Sequence, residues 1–242
     1  MTLTQPSSRT FPCPSSTRPA RLRRLTVAFA AAAAICTGVI ATESTPASAA
    51  PAVVATTPAL ATNAMAPIVT TSARAALASY DEWQARDDAG AYRSYVWYRT
   101  QTAQYAATEL GYPRQQMVEA WAAAPMDHQR AVLAAMTQVG VPYRTNTSKE
   151  GVGFDCSGLT TYAWSKAGIQ LVRQSGQQIR NARPVDRADA KAGDLVQYPG
   201  HVMMYLGVGD AVIHSVMHGR TVELDTISSR RARSVRFGDP VA

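Results

Sequence analysis

The chain has 242 residues, a formal net charge of +7 and 46% hydrophobic residues, and this length allows one or two domains. Residues 1–49 contain five of the Arg residues and one Glu, so their removal lowers the net charge from +7 to +3. The basic balance is therefore no evidence for nucleic-acid binding, although a small positive charge would suit an anionic partner.

The first 49 residues have the pattern of a secretory signal peptide. An apolar run from Leu25 to Ile40 is followed by the small residues Ala47-Ser48-Ala49, and it is preceded by a positive patch of Arg18, Arg21, Arg23 and Arg24. This pattern predicts cleavage after Ala49 and export from the cytoplasm. The alternative is a retained membrane anchor, but about 20 apolar residues are needed to span a bilayer. We expect no stable membrane span once the signal peptide is removed.

The cysteine content directs attention to one residue. Cys13 and Cys36 lie in the predicted signal peptide, so an exported form retains only Cys156. A single thiol forms no internal disulfide, and in an exported protein it is either intermolecular or reactive. A buried, inert thiol is the structural alternative.

Two segments follow the signal peptide. Residues 50–73 are rich in Ala, Thr and Pro and predict a flexible linker. Residues 74–125 predict a helical segment, in which Ala91 to Leu110 form one helix that ends at Gly111 and Arg114 to Ala123 form another. An aromatic stripe runs along the first of these helices. Its role is either packing or the stacking of a glycan, and the helical spacing favours packing; the stripe consists of Tyr92, Tyr95, Arg99, Thr102 and Tyr105.

A second unit is predicted over residues 126–242. Asp127 is a candidate N-cap, and a helix is expected from Arg130 to Val139. Four short β-type runs punctuated by glycine come later in the chain: Leu195–Tyr198, His201–Leu206, Ala211–Val216 and Thr221–Leu224. Helices followed by such runs predict an α+β domain with helices packed on an antiparallel sheet.

Cys156 lies where a loop meets a predicted helix over residues 157–167. Unpaired N–H groups and the helix dipole at such a position favour an anion, which means more thiolate and a stronger nucleophile. The same N–H groups could hold the oxyanion of a tetrahedral intermediate. Asp155 or Ser157 could equally cap the helix without any chemistry.

His201 and His214 are the candidate partners of the thiol. His201 begins one β-run and His214 ends the next, so a hairpin would place the two side chains side by side. A base whose second ring nitrogen is held by a polar group is the arrangement that activates a nucleophile. A zinc site formed by these two His and Cys156 is an alternative, although the spacing matches no usual zinc pattern. We expect His128 at the surface and His218 in a turn, close enough to substitute as the third member.

Six sequence blocks together resemble the NlpC/P60 cysteine peptidases of bacterial cell walls. The blocks occur in the family's order between about Asp127 and Ile227, and they are Val141-Pro142-Tyr143, Phe154-Asp155-Cys156-Ser157-Gly158-Leu159, Ser175-Gly176-Gln177-Gln178, Ala192-Gly193-Asp194-Leu195-Val196, Gly200-His201-Val202 with Tyr205-Leu206-Gly207, and Val212-Ile213-His214. The resemblance implies a papain-like α+β fold with no cofactor and no metal. It implies Cys156 as nucleophile, His201 as general base and His214 as the polar third residue.

The resemblance also implies a substrate and residues that bind it. The usual substrate of the family is the stem peptide of peptidoglycan, often cut between D-glutamate and diaminopimelate. This substrate implies an extracytoplasmic, wall-associated protein. Tyr143 would lie near the nucleophile, with Asp155 and Ser157 on the substrate side of the cleft.

Three features depart from the family pattern, one of which is a tighter step from Tyr198 through Pro199-Gly200 into His201. The loop Arg144–Glu150 stands where a Trp-Gly-Gly segment is usual, and the turn between the two His runs is one residue longer than usual. A one-residue slip would turn His214 to the other face of the sheet. A non-catalytic wall-binding protein and an amidase or acyltransferase on a related fold are the alternative functions. The order of Cys156 before both His argues against permuted lipid-acting relatives.

The helical segment over residues 74–125 has no assigned role in the sequence. It could contact the wall or a partner, or it could cover the cleft until it is removed. The last hypothesis is motivated by its position directly before the predicted catalytic domain.

Overall fold

The computed structural model describes residues 63–241. The predicted signal peptide and residues 50–62 of the predicted linker lie outside the described residues. Six helices occur within the described range: α1 (Ala66–Arg86), α2 (Ala89–Leu110), α3 (Arg114–Ala123), α4 (Met126–Met136), α5 (Cys156–Lys166) and α6 (Ser175–Asn181). The strands there are β1 (Ser148–Lys149), β2 (Gly153–Phe154), β3 (Arg183–Val185), β4 (Leu195–Tyr198), β5 (His201–Tyr205), β6 (Ala211–Ser215), β7 (Val222–Thr226) and β8 (Arg236–Asp239).

Helices α1 and α2 form an antiparallel pair whose ends follow from local chemistry. Asp88 caps α2, since its Oδ1 accepts a hydrogen bond from the N–H of Ala91 at 2.7 Å. Gly111 ends α2 in the left-handed region at φ 72°. Helix α1 begins at Ala66, inside the predicted linker, because Pro67 is compatible with a first helical turn. The prediction of a linker up to residue 73 is therefore wrong for the part that forms α1.

The helical segment shares a core with the rest of the described chain. Residues 63–241 lie within one compact unit, so the predicted boundary at residue 126 does not separate two cores. Trp121 of α3 is fully buried and its Nε1–H donates to the carbonyl of Leu206 at 3.0 Å. Asn63 accepts from the N–H of Leu224 at 2.8 Å and donates to its carbonyl at 3.0 Å. The first bond ties the helical segment to the residue after β5, and the bonds of Asn63 tie the start of the described chain to β7.

A six-stranded sheet packs against the helices. Its strand order is β3-β8-β4-β5-β6-β7, and the pairs are antiparallel. Val202 and Met204 of β5 belong to the core shared with the helices, whereas Met203 and Tyr205 belong to a smaller cluster on the other face. Alternate side chains thus face the two sides, as strand geometry requires. The predicted α+β class, with helices on an antiparallel sheet, is confirmed.

The prediction that no membrane span remains after removal of the signal peptide can be compared with the described helices. Within residues 63–241, no helix combines the length and apolar character that a bilayer span requires.

Candidate active site

Cys156 is the first residue of α5, as the sequence predicts. Its thiol is partly exposed and free. Asp155 caps the helix, because its Oδ1 accepts a hydrogen bond from the N–H of Gly158 at 2.7 Å. The thiol therefore lies at the positive end of a helix dipole.

The first turn of α5 also offers donors for an oxyanion. The ladder of the helix begins with Leu159, whose N–H donates to the carbonyl of Asp155 at 3.0 Å. The capping carboxylate takes the N–H of Gly158. The N–H groups of Cys156 and Ser157 precede the ladder, and first-turn donors of this kind are suited to bind an anion.

Arg173 holds the first turn of α5, and the sequence analysis did not single it out. Its Nη2 donates to Oδ2 of Asp155 at 2.6 Å and its Nη1 donates to Oγ of Ser157 at 2.8 Å. Asp155 and Ser157 are both buried, whereas the Arg173 side chain is 41% exposed. Of these three residues, Arg173 thus presents the largest polar surface to solvent. Its position just before the Ser175 to Gln178 block was the available signal.

The buried Gln178 fixes α6 against α5. Its Oε1 accepts from Oγ1 of Thr160 at 2.7 Å, and its Nε2 donates to the carbonyl of Ser157 at 3.1 Å. Nε2 also donates to the carbonyl of Val172 at 2.9 Å, one residue before Arg173. The Ser175 to Gln178 block therefore supports the Arg173 contacts.

His201 and His214 are in direct contact across the β5–β6 pair. Nε2 of His201 lies 2.8 Å from Nδ1 of His214. The register pairs Met204 with Ile213, which leaves the two His on one face of the sheet. The longer turn thus causes no slip of His214 to the other face. Both rings are buried.

Burial sets the protonation of His201. Burial and, to a smaller extent, the neighbouring His214 together lower the pKa of His201 from 6.5 to about 3. His201 is therefore neutral at pH 7 and able to accept a proton. A neighbouring thiolate would favour the imidazolium form, so transfer of the thiol proton to His201 is coupled to the charge left on sulfur.

Two tyrosines surround the thiol. Burial raises the pKa of Tyr143, and the negative charge of a Cys156 thiolate raises it further. Burial also raises the pKa of Tyr198; Arg231 opposes this rise and Cys156 adds to it. The Tyr198 ring lies 5.2 Å from the ring of His201. Tyr198 therefore packs beside His201, and the charge of Cys156 reaches it. No hydrogen bond joins Cys156 to His201 in the part of the chain that the structure describes.

His218 lies apart from the His pair. It is exposed, its Nε2 is 2.8 Å from Oγ1 of Thr145, and its ring is 5.1 Å from the ring of Tyr143. It therefore borders the Arg144–Glu150 loop, and His214 rather than His218 contacts His201.

The expectation that His128 is a surface residue is wrong. The ring is buried, with Nδ1 2.9 Å from Asp127 and Nε2 3.2 and 3.4 Å from Asp194 and Asp239. Asp127 is thus a partner of this ring, and Pro125 holds the N-cap position predicted for it. Burial lowers the pKa of His128, but the hydrogen bonds that its ring makes to Asp194 and Asp127 and the charges of Asp194 and Asp239 together outweigh burial, so the net change is upward.

The His128 cluster also has the composition of a cation site. Donor atoms of His128, Asp194 and Asp239 lie within 4.8 Å of one another. Arg183 already supplies positive charge there, since it donates to Asp239 at 2.9 Å, and the raised pKa of His128 favours its protonated form. The ion pairs account for the cluster without a metal.

Comparison with known proteins identifies the region that contains these residues. Residues 140–237 match the NlpC/P60 family. The chain is 39% identical over 102 residues to the peptidoglycan endopeptidase RipB of Mycobacterium tuberculosis, which covers 36% of this chain and 42% of RipB. It is 35% identical over 103 residues to the murein DD-endopeptidase MepH of Escherichia coli, covering 38% of each. The chain thus spans less than half the length of these curated relatives.

A solved NlpC/P60 family protein from Bacillus cereus is also similar. It is 28% identical with a TM-score of 0.44, and the match covers 48% of this chain and 40% of that protein.

A thiol at a helix N-terminus and a hydrogen-bonded His pair on adjacent strands are the kinds of group that nucleophilic catalysis uses. More particularly, residues 140–237 are similar to the NlpC/P60 family.

Proposed function

We propose that this protein is an exported cysteine endopeptidase that hydrolyses a peptide bond in the stem peptide of peptidoglycan. The observation that carries the proposal is the hydrogen-bonded pair of His201 and His214, whose strands pack against the helix that begins at Cys156, in a region matching NlpC/P60. RipB and MepH, named as endopeptidases of peptidoglycan and murein, support the substrate class. We propose the bond between D-glutamate and diaminopimelate as the one cut.

The proposed reaction begins with the thiol proton. It moves from Sγ of Cys156 to His201, and the thiolate attacks the carbonyl carbon of the scissile bond. The oxyanion that forms accepts hydrogen bonds from the N–H groups of Cys156 and Ser157. His201 then gives its proton to the leaving amine as the C–N bond breaks, which leaves a thioester on Cys156.

The second half releases the acyl group. His201 removes a proton from water, and the resulting hydroxide attacks the thioester carbon. The C–S bond breaks, Cys156 recovers its proton, and the peptide carboxylate leaves. His214 holds the ring of His201 through both halves. Tyr143, Asp155 and Ser157 remain the proposed substrate-side residues, with Arg173 as the group that presents charge to the peptide.

The test is digestion of purified muropeptides, read by mass spectrometry. One set should carry diaminopimelate and a second set lysine at the third stem position. We expect fragments ending in D-glutamate from the diaminopimelate set. Fragments produced by cutting at a D-Ala cross-link would support peptidase activity but would show that a different bond is cut. Intact muropeptides in both sets, with a folded protein, would contradict the proposed function.

A further inference from the structure

We propose that Asp225 is a positioning residue that sets the proton-bearing nitrogens of both His214 and His201. The inference rests on the proposed function for its catalytic meaning, but the contacts that support it do not depend on a substrate. Oδ2 of Asp225 lies 3.3 Å from Nε2 of His214, whose Nδ1 lies 2.8 Å from Nε2 of His201. Three side chains from three successive strands thus form one chain of hydrogen bonds.

The register of the sheet places Asp225 on the same face as His214. Strands β6 and β7 pair His214 with Glu223 and Val212 with Asp225. Residues two apart on a strand share a face, so Asp225 is the diagonal neighbour of His214. The backbone N–H of Thr226 donates to Oδ1 of Asp225 at 2.7 Å and holds the carboxylate in place.

The carboxylate gives the chain of hydrogen bonds a direction. An ionised carboxylate only accepts, so Nε2 of His214 carries the proton in this contact. In a neutral ring Nδ1 of His214 is then the acceptor, which requires Nε2 of His201 to donate. The remaining nitrogen of His201, Nδ1, is left without a proton and is the one able to take a proton from a thiol.

The charges around Asp225 keep it ionised. The hydrogen bond from His214 lowers the pKa of Asp225, burial opposes this, and the N–H of Thr226 and the charge of Arg220 lower it further. Two further groups lie around Asp225. The charge of Asp225 raises the pKa of Tyr198 on β4, and Glu223 on β7 accepts a hydrogen bond from Arg220. The acceptor is thus present at neutral pH.

Without Asp225, nothing fixes which ring donates and which accepts in the hydrogen bond between His214 and His201. Either nitrogen of His214 could then carry the proton, and the opposite arrangement would put a proton on Nδ1 of His201 and block it as a base. A buried Asp bonded directly to a catalytic His contributes about 10⁴-fold through the same effect. Asp225 acts one ring further away, and its side chain is 41% exposed, so we expect a smaller loss of about 10- to 100-fold in kcat.

The experiment measures tautomers and turnover separately. The full exported chain, labelled with ¹⁵N in its His rings, is examined by NMR without substrate for wild type, Asp225→Ala, Asp225→Asn and Asp225→Glu. Asp189→Asn is the matched control, because it removes an exposed carboxylate elsewhere. We expect protonated Nε2 on both rings in wild type and in Asp225→Glu. Asp225→Ala should show a mixture, with Asp225→Asn between them.

Turnover on diaminopimelate muropeptides should follow the tautomers, with kcat falling and KM little changed. An unchanged His201 tautomer in a folded Asp225→Ala would overturn the proposal. Absence of the wild-type tautomer in Asp225→Glu would overturn it as well. If wild type cleaves no muropeptide, the proposed function fails while the tautomer measurement still decides the role of Asp225.

Discussion

Gly158 in the first turn of α5 shows how the site depends on single residues. A Cβ at this position would lie 2.0 Å from the carbonyl oxygen of Thr147, a backbone atom that cannot rotate away. The loop that departs from the family pattern therefore runs directly over the turn that carries Cys156. Asp155 fixes the same junction from its other side, since its N–H donates to the carbonyl of Thr147 at 3.0 Å.

Gly158→Ala should therefore destabilise the protein and displace the thiol. We expect the free energy of unfolding to fall by about 1–3 kcal/mol, the usual cost of forcing extra volume into a packed site. Urea denaturation measures this. Gly176→Ala is the matched control, because its Cβ would meet only the end of the Arg180 side chain at 3.3 Å. That change should be neutral or stabilise by about 0.5–1 kcal/mol. Equal effects of the two substitutions would contradict the close contact.

At the scale of helices and strands, the sequence predicts the elements whose ends carry local signals. Helix α3 and strand β4 have the predicted bounds, and α2 ends at Gly111 as expected. The contact of His201 with His214 also follows from local information, because a short hairpin brings the two residues together. Local chemistry thus determines much of the candidate site.

The elements that the sequence analysis missed depend on distant partners. Strand β8 reads Arg-Phe-Gly-Asp and lacks alternation, and it forms between β3 and β4. The burial of His128 depends on Asp194 and Asp239, and the contact of Asp225 with His214 depends on the register of β6 and β7. No pattern near these residues reveals such pairings.

The His128 cluster joins α4 to β4 and β8 and should make stability depend on pH. Because its pKa is raised in the folded state, His128 stabilises the fold fully below pH 6.5, and this contribution is lost as pH rises through the raised value. His128→Gln should lower the free energy of unfolding by about 3–5 kcal/mol at pH 6, since the buried carboxylate of Asp194 loses its cationic partner.

The difference from wild type should shrink at pH 9, measured by urea denaturation at both pH values. His218→Gln, which changes an exposed ring, should alter stability little at either pH. A difference between wild type and His128→Gln that is the same at pH 6 and pH 9 would contradict a charged His128.

At the scale of the whole molecule, the helical segment is part of the core that supports the site. Tyr95, Met117 and Trp121 of this segment are fully buried. Tyr95 also donates to Gln129 of α4 at 2.7 Å. Part of the aromatic stripe thus packs inward as expected, whereas Trp97, beside the stripe, is 61% exposed. These contacts argue against the hypothesis that the helical segment is a cover over the cleft that can be removed without loss of stability.

Removal of the segment should therefore unfold the catalytic part. Residues 50–242 should show a cooperative urea transition, and residues 126–242 should show none, because burial of each large side chain contributes about 1.5–3 kcal/mol. Near-ultraviolet circular dichroism checks both. A cooperative transition in residues 126–242 together with faster muropeptide cleavage would instead support the removable cover.

The central claim is that Cys156 attacks a wall peptide, and trapping of the acyl-enzyme tests it most directly. Wild type and Cys156→Ala are mixed with diaminopimelate muropeptides, quenched in acid and examined by intact-protein mass spectrometry with peptide mapping. The account predicts an added acyl mass on the peptide containing Cys156 in wild type, with fragments released, and neither adduct nor fragments from Cys156→Ala. Fragments from Cys156→Ala at the wild-type rate would contradict it.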